Sequence, residues 1–143
     1  MLRRATSEDL DALIPLVEDF YAVDHHCYDE NRVVSALQPL LAGDTFGQIW
    51  VVELKSALVG YAIVTWGYSL ESGGRECLVD EIFIAEQSQG LGGILLETAL
   101  EGARVSGASA VFLETETHNA RVRAFYSRHG FAVEESVWMR RSL

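Results

Sequence analysis

Cys77-Leu78-Val79-Asp80-Glu81-Ile82-Phe83-Ile84 runs into Ala85-Glu86-Gln87-Ser88-Gln89-Gly90-Leu91-Gly92-Gly93, and then into Ile94-Leu95-Leu96-Glu97-Thr98-Ala99-Leu100-Glu101-Gly102-Ala103. The first eight residues have the β-branched and aromatic character of a long strand. The last ten place Leu95, Leu96, Ala99, Leu100 and Ala103 on one face of a helix that Gly107 closes. Between them lies a polar, glycine-bearing turn. A strand entering a helix through such a turn leaves free amide N–H groups and the positive end of the helix dipole at one spot, where together they make an anion site. Glycines let a phosphate approach the backbone there. No Gly-Lys-Ser/Thr follows, which excludes a P-loop. A dinucleotide-binding turn wants a third glycine where Leu95 stands, although Glu114, at the end of the next strand, sits near the place of a ribose-binding acid. An ordinary tight turn into a helix also accounts for the glycines.

Outward from this stretch, Leu2 to Ala5 reads as a short strand, and Thr6 with Asp9 caps a helix carrying Leu10, Leu13, Ile14, Val17 and Phe20-Tyr21. Asp24 to Tyr28 breaks the pattern, and Asp29 caps a second helix with Val33, Val34, Leu37 and Leu40 inward, ending near Gly43. Ile49 to Leu54 and Leu58 to Trp66 form a hairpin across Lys55-Ser56, and Ser72-Gly73-Gly74 marks the next turn. Ala110 to Thr115 is another strand, Asn119 to His129 another helix closed by Gly130, and Phe131 to Arg141 supplies one or two final strands. Hairpins interrupt the helices, so the pattern predicts an α+β fold in three layers, α/β/α. The central sheet is mixed, mostly antiparallel, of six to seven strands flanked by about four helices.

The 143 residues, 49% of them hydrophobic, make one domain, 1–143, with one core. Eleven basic against 21 acidic side chains give −10, which argues against a nucleic-acid partner, because neutralising phosphates needs a basic face. The basic start Met1-Leu2-Arg3-Arg4 is followed by Ala5-Thr6-Ser7-Glu8-Asp9 with no apolar core of a secretory signal. No apolar run reaches the ~20 residues of a membrane span. Cys27 and Cys77 fit no metal or redox spacing, and the expected compartment is the cytoplasm with both thiols reduced.

Gln87-Ser88-Gln89-Gly90-Leu91-Gly92 resembles the Q/R-x-x-G-x-G/A signature of the GCN5-related N-acetyltransferases (GNAT), whose loop binds the pyrophosphate of acetyl-coenzyme A. A second register begins at Gln89 and places Ile94 where glycine or alanine is expected. Val79-Asp80-Glu81-Ile82-Phe83-Ile84 resembles the family's central strand. Asn119-Ala120-Arg121-Val122-Arg123-Ala124-Phe125-Tyr126 with Gly130-Phe131 resembles its N-x-x-A-x-x-F-Y-x-x-x-G-F segment. The resemblance extends over most of the chain. It implies transfer of an acetyl group from acetyl-coenzyme A to a primary amine of a small cationic molecule or a protein, by direct attack in a ternary complex. The alternative is a non-catalytic acyl-coenzyme A-binding module of the same fold. Pairing of two copies through the last strands is common in the family, which leaves a homodimer open; the sequence itself is silent on the oligomer.

Site roles follow from the resemblance. Gln87, Gln89 and the amides of Gly90, Leu91, Gly92 and Gly93 meet the phosphates. The backbone of Ile82, Phe83 and Ile84 meets the pantetheine arm, and Asn119 touches the same arm, a role compatible with capping its helix. The loop lacks the family's arginine. Residues 119–143 carry five arginines against two glutamates, and Arg123, with Arg121 and Arg128, is placed to supply the missing charge. Tyr126 taken alone reads as a core tyrosine beside Phe125; the resemblance makes it the general acid for the departing thiolate. Asp80 and Glu81 are by resemblance the catalytic carboxylates, with Asp80 most like the family's general base, acting directly or through water; the alternative is that either acid forms a structural pair with one of the arginines. Strand alternation sends them to opposite faces, and acids in such a strand are costly unless paired or functional. Asp24-His25-His26-Cys27-Tyr28-Asp29-Glu30 is the other polar cluster. Adjacent histidines do not share a helix face and no second cluster completes a shell, so no metal is expected. The resemblance places this connection in the acceptor pocket, where Tyr21, Asp24, Tyr28, Trp66, Tyr68 and Glu71 make an acidic, aromatic setting for a cation.

Overall fold

The computed structural model describes residues 1–85 and 90–143 of the chain, in two compact units, Met1–Leu113 and Glu114–Leu143. The first holds a five-stranded sheet in the order β1 (Leu2–Arg4), β2 (Gly47–Leu54), β3 (Ala57–Ser69), β4 (Gly74–Ile84) and β5 (Val111–Phe112). The first four strands pair antiparallel, and β4 pairs with β5 in parallel. α1 (Leu10–Val23), after a 3₁₀ turn at Ser7–Asp9, and α2 (Glu30–Ala42) pack on one face of the sheet. α3 (Leu91–Val105) packs on the other, and α4 (Ala120–Arg128) lies in the second unit.

Alternation in β2 and β3 divides the core. Ile49, Val51, Tyr61 and Ile63 join Leu13, Leu16 and Val17 of α1 and Val33 and Leu37 of α2 in one buried cluster. The alternate residues, including Ala62 and Val64, are buried on the opposite face, the side of Leu95, Leu96, Ala99 and Ala103, the buried face of α3. Local signals set the boundaries. The Asp29 carboxylate accepts from the Arg32 amide at 3.2 Å to start α2, and the Asn119 side chain accepts from the Val122 amide at 3.1 Å to start α4. Lys55 and Ser56 take φ of 50° and 64°, the left-handed pair that a two-residue hairpin turn demands. Before α1, the Asp9 carboxylate accepts from the Thr6 amide at 2.7 Å and from both terminal nitrogens of Arg3 at 2.9 Å. That arginine beside it holds Asp9 below the usual carboxylate range.

Three expectations change. The sheet has five strands among the described residues, not six or seven. β5 is only Val111–Phe112, and the segment from Phe131 onward contains no strand. An apolar alternation makes a strand only where a second backbone completes the ladder. β5 finds that partner at Cys77 and Leu78 alone, and the terminal segment finds none among the described residues. Finally, β4 is not evenly alternating. Ile63 pairs with Glu81 whereas the next residue, Val64, pairs with Val79, so Asp80 is an extra residue, a β-bulge.

α3 approaches the sheet closely at Gly102. A Cβ there would lie 2.6 Å from Cζ2 of Trp50 and 2.8 Å from Oε1 of Gln48, two side chains locked together by the 3.3 Å bond from Trp50 Nε1 to Gln48 Oε1. Gly102→Val is therefore expected to destabilise the fold by roughly 1–3 kcal/mol. Gly43→Ala, at an extended position with nothing within 4 Å, is expected to stay within about 0.5 kcal/mol of the parent. Urea denaturation of both variants measures the difference; equal midpoints would show that α3 can retreat.

Candidate functional site

The bulge decides where the two acids of β4 go. Past it, Glu81 pairs with Ile63 and Phe83 with Tyr61, which puts Glu81 on the face covered by α1 and α2. Tyr61 is its diagonal neighbour across the strands and donates its hydroxyl to Glu81 Oε1 at 2.8 Å. Tyr21, near the end of α1, donates to Oε2 at 3.0 Å. Each carboxylate oxygen thus accepts one phenol, from elements far apart in sequence. Burial raises the Glu81 carboxyl above its ordinary range, and the two phenols only partly offset it. Burial beside that carboxylate pushes the Tyr21 hydroxyl up to about 12 and raises Tyr61, which is 0% exposed, further still. Both stay protonated, hence donors, at any ordinary pH.

Asp80 is exposed, and among the described residues it accepts no hydrogen bond and forms no ion pair. It is seated closely enough among its neighbours for desolvation to raise its carboxyl. The even alternation that would set it apart from Glu81 fails at the bulge: its charge also acts on Tyr21, Tyr61 and Glu81.

The α1–α2 connection joins this group. His25 takes φ of 56° and the His26 amide donates to the Tyr21 carbonyl at 2.9 Å, closing the end of α1 as a left-handed cap usually does with glycine. The turn lays the His26 ring 5.8 Å from that of Tyr21 and 2.7 Å from Asp24 through Nε2 and Oδ2. Tyr28 meets Tyr21 edge to face at 6.0 Å, and its buried hydroxyl has no partner among the described residues. Phe20 and Phe83, 5.8 Å apart, continue the aromatic wall.

Tyr21, Asp24, Tyr28 and Glu81 are therefore gathered, but three other expected acceptor residues are not with them. Trp66 and Tyr68 lie toward the β3–β4 turn, about 17 to 23 Å along β3 from Tyr61 at ~3.3 Å per residue. Trp66 donates from Nε1 to the Asp44 carbonyl at 2.8 Å and carries the Arg75 guanidinium 5.2 Å over its ring. Tyr68 and Glu71 are exposed. Tyr61 is the member of this group that sequence reasoning misses. Its signal is a lone phenol in the apolar run Leu58 to Val64, where a buried hydroxyl needs a partner.

Among the described residues β4 has no parallel partner beyond Leu78, so the edge of Val79–Ile84 that would face β5 carries no described strand pairing. Peptide groups of Ile82, Phe83 and Ile84 thus remain able to bind an extended polar chain. Gln87 and Gln89 lie outside the described residues. Gly90 starts α3 with φ of 86°, and the helix has no side-chain cap and no acid in its first turn. The leading amides, including those of Leu91, Gly92 and Gly93, suit an anionic phosphate group.

In the second unit, Tyr126 packs edge to face on Phe125 at 5.2 Å and on Phe131 at 5.6 Å. Desolvation raises its hydroxyl. Arg123 donates from Nη1 to the carbonyls of Glu116 at 2.9 Å and Thr117 at 2.6 Å, binding the turn that precedes α4. Arg128 lies 6.0 Å over Phe125. Among the described residues no group of three or more His, Cys, Asp or Glu could hold a metal, and no helix is long and apolar enough to cross a membrane.

A left-handed residue with a Cβ costs about 1–2 kcal/mol, whereas glycine gives back part of the gain through its freer unfolded chain. His25→Gly is expected to stabilise the fold by roughly 0.5–1 kcal/mol, read as a raised Tm. A lowered Tm would show that the His25 side chain holds the connection.

The profile of the acetyltransferase (GNAT) family matches residues 10–131. An uncharacterized N-acetyltransferase of Bacillus subtilis, YhfO, is 25% identical over 132 residues, covering 91% of this chain and 88% of its own. The crystal structure of an integron cassette protein from the mobile metagenome of Cole Harbour Salt Marsh superposes with a TM-score of 0.86 at 28% identity, over 99% of this chain and 90% of that one. AAC(6')-Iy, in complex with the bisubstrate analogue CoA-S-monomethyl-acetylneamine, shares the fold at a TM-score of 0.85 and 14% identity, over 100% of this chain and 97% of its own.

Proposed function

The chain belongs to the acetyltransferase (GNAT) family, and on that premise we propose that it transfers the acetyl group of acetyl-coenzyme A to a primary amine of a small cationic molecule or of a protein, by direct attack in a ternary complex. One observation carries this reading: the edge of β4 that is unpaired beyond Leu78 among the described residues lies on the same strand as two carboxylates of raised pKa, and in sequence that strand precedes an uncapped helix start. The amides at the start of α3 hold the pyrophosphate, with charge supplied by Arg123 and its neighbours on α4. The peptide groups of Ile82 to Ile84 hold the pantetheine arm and polarise the thioester carbonyl, and Asn119 contacts the same arm. The family match spans both compact units, which supports treating 1–143 as one acetyltransferase domain. Both cysteines are free thiols, in keeping with the cytoplasm.

Asp80 is the general base. It has no bonding partner among the described residues, so it can take a proton from the acceptor ammonium directly or through water. The freed amine attacks the acetyl carbonyl, forming the C–N bond, and the C–S bond breaks as Tyr126 gives its proton to the coenzyme A thiolate. A phenol raised by desolvation is fully protonated at neutral pH, as an acid must be at the start of the step.

Acetyl-coenzyme A is expected to raise the Tm and NAD to leave it unchanged, since only a ligand of the folded state stabilises it. Release of free thiol across polyamines, amino acids, aminoglycosides and peptides tests turnover. A chain that binds acetyl-coenzyme A but acetylates none of them is a binding module. Tyr126→Phe is expected to lower kcat by roughly 10²-fold or more with acetyl-coenzyme A binding retained; an unchanged kcat removes its acid role. Asp80 acts only when ionised, so kcat/KM should rise with pH through its pKa, with the acid limb displaced upward from the ordinary carboxylate range because that pKa is raised. Asp80→Asn should abolish that limb.

A further inference from the structure

Glu81 has a partner on each oxygen, yet neither partner carries charge. Within the first unit the arginines that pair are committed elsewhere: Arg3 to Asp9 and Glu53, Arg4 to Asp44, and Arg104 to Glu101. No described cation forms an ion pair with Glu81; beyond burial and the two phenols, its carboxyl is raised by the charge of Asp80 and lowered by that of His26. A half-buried carboxylate without a cation is costly, and the chain retains two phenols from different elements to orient it. One of them, Tyr61, is 0% exposed and spends the only polar atom of a core side chain on that bond. Two hydroxyls use one lone pair on each oxygen, which leaves Glu81 fixed in direction and still able to accept from an ammonium. The Tyr21 ring that carries one donor meets the ring of Tyr28 edge to face at 6.0 Å, and aromatic faces of this kind favour a cation.

We infer that Tyr61 and Tyr21 are positioning residues that aim Glu81 at a positive group of the acceptor, so that Glu81 determines specificity for an amine carrying a second cationic centre beside the one acetylated. The inference rests on the acetyltransferase reading for the acceptor but not for its readout. Asp80, unbonded on the bulge, takes the proton; Glu81, held by two phenols, keeps its charge and binds. Adjacent carboxylates are thus separated in role by hydrogen bonding and by exposure. Neither tyrosine touches the reacting atoms.

Spermidine, a flexible polycation, is the probe, titrated calorimetrically into the full chain without acetyl-coenzyme A. Glu81→Gln is expected to weaken binding by about tenfold or more, and Tyr61→Phe and Tyr21→Phe by about three- to tenfold each, the range for losing bonds to a charged group. In both tyrosine variants the Glu81 carboxyl, followed by ¹³C NMR, should titrate higher than in the parent, because a donor to its charged form is gone. That shift reports the lost bond, and weakened spermidine binding in a variant that keeps the parent's Tm separates positioning from a merely structural role. Should Tyr61→Phe fail to fold, Tyr21→Phe, at a half-buried position, decides alone. The inference is overturned if the parent does not bind spermidine, or if the tyrosine variants bind it within twofold of the parent. A chain that binds spermidine through Glu81 yet releases no thiol from acetyl-coenzyme A retains this inference and loses the enzymatic one.

Discussion

A single unpaired residue in β4 governs the chemistry of the first unit. Because Asp80 has no counterpart on β3, the ladder slips by one, and the residues beyond it take faces that unbroken alternation would deny them. Glu81 comes under α1, within reach of two phenols, while Asp80 is left without a bond. The bulge also falls just after β4 loses its parallel neighbour at Leu78. Irregular pairing on one edge and no described pairing on the other occur over the same few residues. A strand paired on both edges could offer a ligand only its side chains; this one keeps backbone groups available as well.

The same logic fixes what was legible in the sequence. Periodicity finds α1, α2, α3 and the hairpins because each is dictated by neighbours within a few positions: Asp29 and Asn119 at their helix starts, Lys55-Ser56 in the turn, and Leu95, Leu96, Ala99 and Ala103 on one stripe. The glycine turn and the Asn119 to Phe131 segment suffice to identify the family, since those motifs are local too. What was not legible depends on pairing between distant segments. The slip at Asp80 is a property of β3 and β4 together. The Tyr21–Glu81 bond spans 60 positions, and the Tyr61–Glu81 bond depends on a diagonal across two strands. Trp66 and Tyr68 were grouped with Tyr21 for their chemistry, but distance along β3 separates them, and composition carries no information on distance. The expected final strands are missing among the described residues for a related reason: alternation shows that a segment can pair, not that a partner exists.

Charge acquires a different meaning once partners are known. The net of −10 is uneven, with 6 basic and 19 acidic side chains through residue 118 against five and two thereafter. The scarcity of cations in the first unit makes their placement informative. Asp9 and Glu81 are both acids drawn from water, and they shift in opposite directions. Arg3 holds Asp9 below the usual range, so its ionised form favours the fold above the unfolded pKa, a contribution lost only as pH falls through the folded one. Glu81 is raised, so the sign reverses: its protonated form favours the fold, and that contribution is lost as pH rises through the folded pKa. At neutral pH the first carboxylate strengthens the structure and the second weakens it. An arginine at Glu81 would remove the cost, as it does at Asp9, but it would also occupy the place where a positive ligand can bind. The part of the desolvation at Glu81 that the two phenols leave uncompensated is what an incoming cation would relieve, and it gives binding there a driving force that a paired carboxylate would lack.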